Sequence, residues 1–292
     1  MPSVTTKNNG TWHIIGESVR GVTHDRKGLP NQDAIQCIVK KGNELPLAVA
    51  VSDGHGNSKN FRSEIGAQLA ANIAGDILIH FLSESCNENI SDQTLNNIQK
   101  ILIPEIIETW KKAVLDHFEQ NPILKTEQEV LKNKNEFSPD VDNDLYDPIP
   151  FYGTTLLAAG VSESLIILLQ LGDGDILTVD PFGKVIEPMP RDDNLFADET
   201  TSLCLPNAEQ YMRHIILEPR TEKIKLLLIS TDGYSKSFIE NSDFLEVGPD
   251  FLELLENEGI STVQDNLKKW LDETSKLGSG DDITLGIVYH ER

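Results

Sequence analysis

The chain has 292 residues, and its 25 Lys and Arg against 47 Asp and Glu give a formal net charge of −22. That balance excludes nucleic acid and anionic membranes as partners, because both are gripped by cationic surface. It leaves metal cations, or a phosphate reached through them. With 39% apolar residues the chain can bury a substantial core, so it is not a disordered segment.

Residues 11–21 (TWHIIGESVRG), 33–40 (DAIQCIVK) and 47–52 (LAVAVS) read as strands close enough in sequence to pair antiparallel. From 62 to 83 the period lengthens: Ile65, Leu69, Ile73 and Ile77 recur every four residues, the spacing of one helix face. A second helix is expected over 91–118. Leu95, Ile98, Leu102, Ile106, Trp110 and Val114 form its apolar side, and Pro104 kinks or splits it. Residues 119–150 lose periodicity, turn polar and acidic, and read as a surface insertion. Residues 153–161 and 164–172 form a predicted hairpin, and 175–180 a further strand. Residues 187–222 are irregular and flap-like. A buried strand at 224–230 precedes helices near 249–258 and 261–275, the second with Val263, Leu267, Trp270 and Leu271 as its stripe. A strand at 283–289 closes the chain.

Strands in adjacent pairs, with helices in pairs between them, do not alternate as a doubly wound sheet does. They predict an α+β fold, with antiparallel sheets stacked on each other and helices on the outer faces. The whole of 1–292 is read as one domain. Cys37, Cys86 and Cys204 are odd in number and lack metal-type spacing, so reduced thiols are expected. No basic segment followed by an apolar stretch opens the chain, and no run reaches the ~18 apolar residues of a membrane span. A cytoplasmic protein is expected.

The informative feature is where the strands end. AVAVS runs into Asp53-Gly54, ILLQLG into Asp173-Gly174, and LLLIST into Asp232-Gly233. Asp33 immediately precedes AIQCIV, and Asp281 and Asp282 precede ITLGIV. One Asp-Gly junction is an ordinary turn. Five acidic strand ends in one core are another matter, because carboxylates converging there repel, and each uncompensated buried charge costs several kcal/mol. They stay ionised together only with cations among them, or else their pKa values rise. All-oxygen ligation suits Mg²⁺ and Mn²⁺. Two other acidic stretches are weaker. DGDILTVD (173–180) lacks the Gly and closing Glu of a calcium loop, and DVDNDLYD (140–147) reads as a solvated charge run.

Taken in order, these segments resemble the metal-dependent type 2C protein phosphatases. NQDA (31–34) is similar to that family's Glu-Asp-Ala, and SDGHG (52–56) to its Asp-Gly-His/Met-Gly. GTTL (153–156), LGDGD (171–175), ISTDG (229–233) and GSGDDIT (278–284) are similar to its later motifs. The resemblance runs from about Gly16 to Tyr289. It implies a four-layer α-β-β-α sandwich with a binuclear Mn²⁺ or Mg²⁺ centre at one end of two central antiparallel sheets. Carried over, Asp53 bridges the metals, Gly54 gives its carbonyl, and Asp232 and Asp281 hold the first metal. Asp33 is a metal-site and catalytic residue close to the bridging water, His55 is a general acid, and Asp173 with Asp232 holds a third metal. The sequence departs from the pattern at Gln32, which stands where the family has Glu, and in lacking its phosphate-gripping Arg at the usual spacing. His24, Arg26, Lys27 and Arg62 are the candidates for that grip.

The expected activity is hydrolysis of phosphoserine or phosphothreonine in a protein, with a Ser/Thr kinase or its targets as the implied partner. Two alternatives stay open: a phosphoprotein-binding scaffold that keeps the fold, and a phosphatase of small metabolites.

Overall fold

The structure is a computed structural model that describes residues 3–6, 10–40, 44–84, 91–132, 147–190, 200–219 and 221–291. In chain order the elements are β1 (Ser3–Thr6), β2 (Gly10–Val19), α1 (Val22–Lys27), β3 (Asp33–Lys40), β4 (Glu44–Asp53), α2 (Ser63–Glu84), α3 (Asp92–Asn97), α4 (Ile103–Gln120) and α5 (Lys125–Lys132). There follow β5 (Leu156–Val161), β6 (Ile166–Leu171), β7 (Asp175–Val179), β8 (Val185–Ile186), α6 (Ala208–Tyr211), β9 (Arg213–Leu217), β10 (Leu226–Ser230), α7 (Asp232–Ser235), α8 (Asn241–Leu245), α9 (Val247–Glu258), α10 (Ile260–Leu277) and β11 (Ile283–Glu291).

Two antiparallel sheets form, one ordered β1-β2-β11-β10-β7-β8 and the other β3-β4-β5-β6-β9. Each is apolar on both faces, so alternation along a strand sorts side chains between two cores. In β4, Leu47, Val49 and Val51 enter the core between the sheets, while Ala48 and Ala50 face the helical layer of α2 and α4. In β10, Leu227 and Ile229 point between the sheets, and Leu226 and Leu228 join the layer of α9 and α10. The result is the expected α+β sandwich, helices outside and sheets within.

Several expectations are revised. The Ile65, Leu69, Ile73, Ile77 stripe of α2 is only partly buried; the face sunk against the sheet is Gly66, Ala67, Ala70, Ala71, Ala74 and Gly75, then Leu78 and Leu82. Small residues win because they let the helix axis approach the sheet. Although α2 is long and apolar enough by composition to cross a membrane, that face is packed inside the fold. The helix expected over 91–118 is broken as Pro104 requires: a π-helical turn, Ile98–Leu102, separates α3 from α4. Leu95 lies on the exposed side. Within 119–150, α5 forms where no periodicity was read, with Glu127 reaching back to the Leu124 amide (2.7 Å). Within 187–222, β9 pairs with β6 as an edge strand. Cys86, residues 133–146 and residues 191–199 lie outside the described residues, including most of the 140–147 charge run.

Candidate active site

Alternation also explains the acidic strand ends. Asp33 shares the inward face of β3 with Ile35 and Cys37, and Asp53 that of β4 with Val49 and Val51. The two aspartates are register partners across the β3–β4 ladder. Each therefore continues the core between the sheets to its open end. From the other sheet, β10 runs into Asp232, the first residue of α7, and Asp281 stands two residues before β11. Asp173 sits in the turn by which the chain crosses from β6 to β7.

Asp53, Gly54, His55, Asp173, Asp232 and Asp281 line one cleft of about 940 Å³ together with His24, Lys59, Thr200 and Lys236. Asp33 lies behind them, its Oδ2 accepting from the hydroxyls of Thr231 (2.7 Å) and Thr284 (2.8 Å). The GTTL threonines fasten the end of β4: Thr155 Oγ1 accepts from the Asp53 amide (2.9 Å), and Thr154 Oγ1 donates to the Asp53 carbonyl (2.7 Å). At Gly153 a Cβ would stand 2.9 Å from His55 Cδ2 and closer still to Asn60, so a larger residue would push those side chains aside.

The four candidates for a phosphate grip separate. His24 reaches the cleft, its Nδ1 2.8 Å from Asp282 and its Nε2 3.7 Å from Asp281. Arg26 and Lys27 do not line the cleft and are exposed on α1. Two or three residues beyond His24 the helix has turned by roughly 200–300°. Arg62 is buried elsewhere. All five of its N–H donors are consumed: two by Glu127, and one each by Tyr152 Oη and the carbonyls of Asn121 and Pro122. None is left for a phosphate, so Arg62 is withdrawn from the site.

Sequence reasoning passed over Lys236 and the separate role of Asp282. The Asp282 carboxylate is buried and accepts from the Gly21 amide (2.6 Å) and the Gln32 amide (2.7 Å), clasping both ends of the α1 segment to β11. Its neighbour Asp281 is the one that lines the cleft. Lys236 follows Asp232 by four residues, and its ammonium bonds the Asp232 carboxylate.

The charges conflict as anticipated. Burial raises the Asp33 carboxyl well above its ordinary value, reinforced by the charges of Asp282 and Asp232 and opposed by its threonine hydrogen bonds. Burial and the charges of Asp33, Asp232 and Asp281 likewise raise Asp53. Asp173 is raised by burial and Asp232, and Asp175 by burial to about 6. Burial lowers His55, with Asp173 opposing. Burial also works against the Lys236 ammonium, but Asp232, Asp173 and Asp53 together outweigh it and raise its pKa.

A carboxylate raised in the folded state binds protons that the unfolded chain releases, so stability falls as pH rises between the two values. For Asp175 that window runs from ~4 to about 6, and Asp33, Asp53 and Asp173 act in the same direction. Metal-free protein should therefore melt at a higher temperature at pH 5.5 than at pH 7.5. Saturating Mn²⁺ should stabilise it more at pH 7.5, where fewer protons compete for the carboxylates. Melting curves in EDTA and in Mn²⁺ at both pH values check this; an acid-labile metal-free protein would contradict it.

The residues suit divalent cations. The donors are all oxygen, the carboxylates repel without a cation, and two buried acceptors, Gln32 Oε1 and Asp175 Oδ2, have no partner. Among the described residues no three acidic, imidazole or thiol groups already close on one point. The carboxylates converge on the cleft without forming a tight cage.

A family model described as "Protein phosphatase 2C" matches residues 20–272. Among solved structures, a bacterial serine phosphatase is similar at 15% identity, with 96% of this chain and 98% of that one covered and a TM-score of 0.58. The serine/threonine phosphatase Stp1 from Staphylococcus aureus is similar at 15% identity over 100% of this chain and 98% of that one, TM-score 0.58. The catalytic domain of the serine threonine protein phosphatase PstP, solved with two manganese ions, is similar at 14% identity over 96% and 99%, TM-score 0.51. At these identities the structures speak for the fold. Among curated proteins none matches the chain in sequence.

Proposed function

The chain belongs to the protein phosphatase 2C family, and from that premise we propose that it hydrolyses phosphoserine and phosphothreonine in proteins at a centre of Mn²⁺ or Mg²⁺ ions. The observation that carries this reading is the convergence of Asp53, Asp173, Asp232 and Asp281 from the strand ends of both sheets on one cleft. Asp53, the Gly54 carbonyl, Asp232 and Asp281 are the residues that would hold the metals. Bound there, divalent ions supply positive charge to the phosphoryl oxygens and make water acidic enough to attack near neutral pH.

The chain's own groups do the rest. Asp33, with Oδ2 pinned by two hydroxyls, is the carboxylate that takes up the proton of the attacking water. Gln32 stays neutral, so its partnerless Oε1 accepts a hydrogen bond from water without adding charge. His55 faces the cleft from the loop after β4 and protonates the leaving alkoxide. Burial lowers its pKa in the free protein, and the negative charge of an arriving phosphate would favour its protonated form. Thr200 and Leu205, from the flap-like segment, form part of the wall a phosphopeptide would meet.

The test is turnover of p-nitrophenyl phosphate and phosphothreonine peptides in Mn²⁺, abolished by EDTA and restored by the metal. A pure binding protein would bind the peptides and turn over neither. Replacing His55→Ala should slow the phosphothreonine peptide by ~10²-fold. It should leave p-nitrophenyl phosphate, whose leaving group needs no proton, within a few-fold. Equal slowing of both would remove His55 from the acid role.

A further inference from the structure

The Asp173 and Asp232 carboxylates share one ammonium in the cleft, that of Lys236. Lys236 lies four residues beyond Asp232, so the helical turn of α7 brings its stem back over that carboxylate, the geometry of an i,i+4 pair. Its Nζ bonds Asp232 Oδ2 and stands 3.8 Å from Asp173 Oδ2. That same Asp173 oxygen accepts from Thr200 Oγ1 at 2.9 Å. The Oδ2 oxygens of the pair are thus already served by a tethered cation and a hydroxyl.

We propose that Lys236 is the resident cation of the Asp173–Asp232 pair, and that it keeps a third divalent ion out of the cleft. The inference rests on the metal-dependent reading above and narrows it from two or three ions to two. A divalent ion entering between these carboxylates would meet the like charge of the ammonium at contact distance. To remain, it would have to drive that group off both partners. Lys236 also acts on Asp53 through its charge, but its contacts are with Asp232 and Asp173. Asp232 would then be shared between the ammonium and a metal ion. The tethered charge also differs from a third ion in kind: it is always present, needs no metal in solution, and cannot carry an activated water. Asp173 then serves as an anchor for Lys236 and Thr200, and not as a metal ligand.

Calorimetric titration with Mn²⁺, with free Mn²⁺ counted by electron paramagnetic resonance, tests this on the full chain. The wild type is expected to saturate at two ions. Lys236→Asp, which replaces the ammonium by a third carboxylate, is expected to take up a third ion. Lys236→Gln, which removes only the charge, should show the same gain more weakly. It carries the test if the added carboxylate unfolds the chain, with circular dichroism reporting folding. Three ions in the wild type, or two in every folded variant, would overturn the assignment of Lys236. No Mn²⁺ bound by the wild type would overturn the metal-centre reading beneath it, which separates the two failures.

Discussion

Asp53→Asn should cost at least ~10³-fold in kcat/KM for p-nitrophenyl phosphate, about 4 kcal/mol of transition-state stabilisation, and should abolish tight Mn²⁺ binding in calorimetry. Asparagine keeps the shape of the side chain. The backbone anchors, the Asp53 amide on Thr155 and its carbonyl on Thr154, do not involve the carboxylate. What the change removes is one negative charge at the point where the β3 and β4 ends meet as register partners. That charge is raised in pKa by burial and by Asp33, Asp232 and Asp281, so in the metal-free protein it is a source of strain. The variant should therefore melt no lower than the wild type in EDTA, while losing the stabilisation that Mn²⁺ confers. Activity and stability move in opposite directions only if Asp53 is kept for an ion. An Asp53→Asn protein with activity within tenfold of wild type, or with unchanged Mn²⁺ affinity, would sink the proposed mechanism.

How much of this was legible beforehand depends on the range over which each feature is decided. Strand ends such as AVAVSD and LLLISTD state their own geometry, because the period-2 pattern assigns the last residue to a face. The layering followed from the grouping of strands and helices. Misreadings arose where an apolar pattern met a competing use. In α2 the Ile and Leu repeat had the right helical spacing, yet close approach to the sheet favoured the Ala and Gly face. In β9 only three consecutive apolar residues, Ile215, Ile216 and Leu217, stand before Pro219, and the strand exists because β6 offers an edge. Asp281 and Asp282 cannot be told apart locally. One lines the cleft and the other is clasped by Gly21 and Gln32, some 250–261 residues away in the chain. Lys236 was detectable in principle as an i,i+4 partner of Asp232. Its second partner, Asp173, comes from a distant crossing between sheets.

Arg62 shows the same principle with the largest expected effect on stability. Arg62→Ala should destabilise the protein by about 3–5 kcal/mol, the usual cost of removing one partner of a buried ion pair. At about 2–4 °C per kcal/mol for a chain of this size, the melting point should fall by on the order of 10 °C. Its guanidinium pairs with both oxygens of Glu127 at 2.8 Å and donates to Tyr152 Oη at 2.9 Å, joining the start of α2 to the end of α4 and to α5. It also packs over the rings of Phe61, Phe118 and Tyr152, with ring centroids 5.4–5.9 Å away. Arg62 is one of the four cationic candidates for the phosphate grip, and the two roles predict opposite data. A phosphate grip would raise KM many-fold and leave the melting point alone. The buried clamp should lower the melting point while KM, measured below the transition, stays within about twofold. The double change Arg62→Met with Glu127→Leu removes both charges together and should recover much of the loss, because no uncompensated ion is left inside. If the single variant melts like wild type and binds substrate poorly, the guanidinium must reach the cleft in solution, and the clamp assigned to it here is wrong.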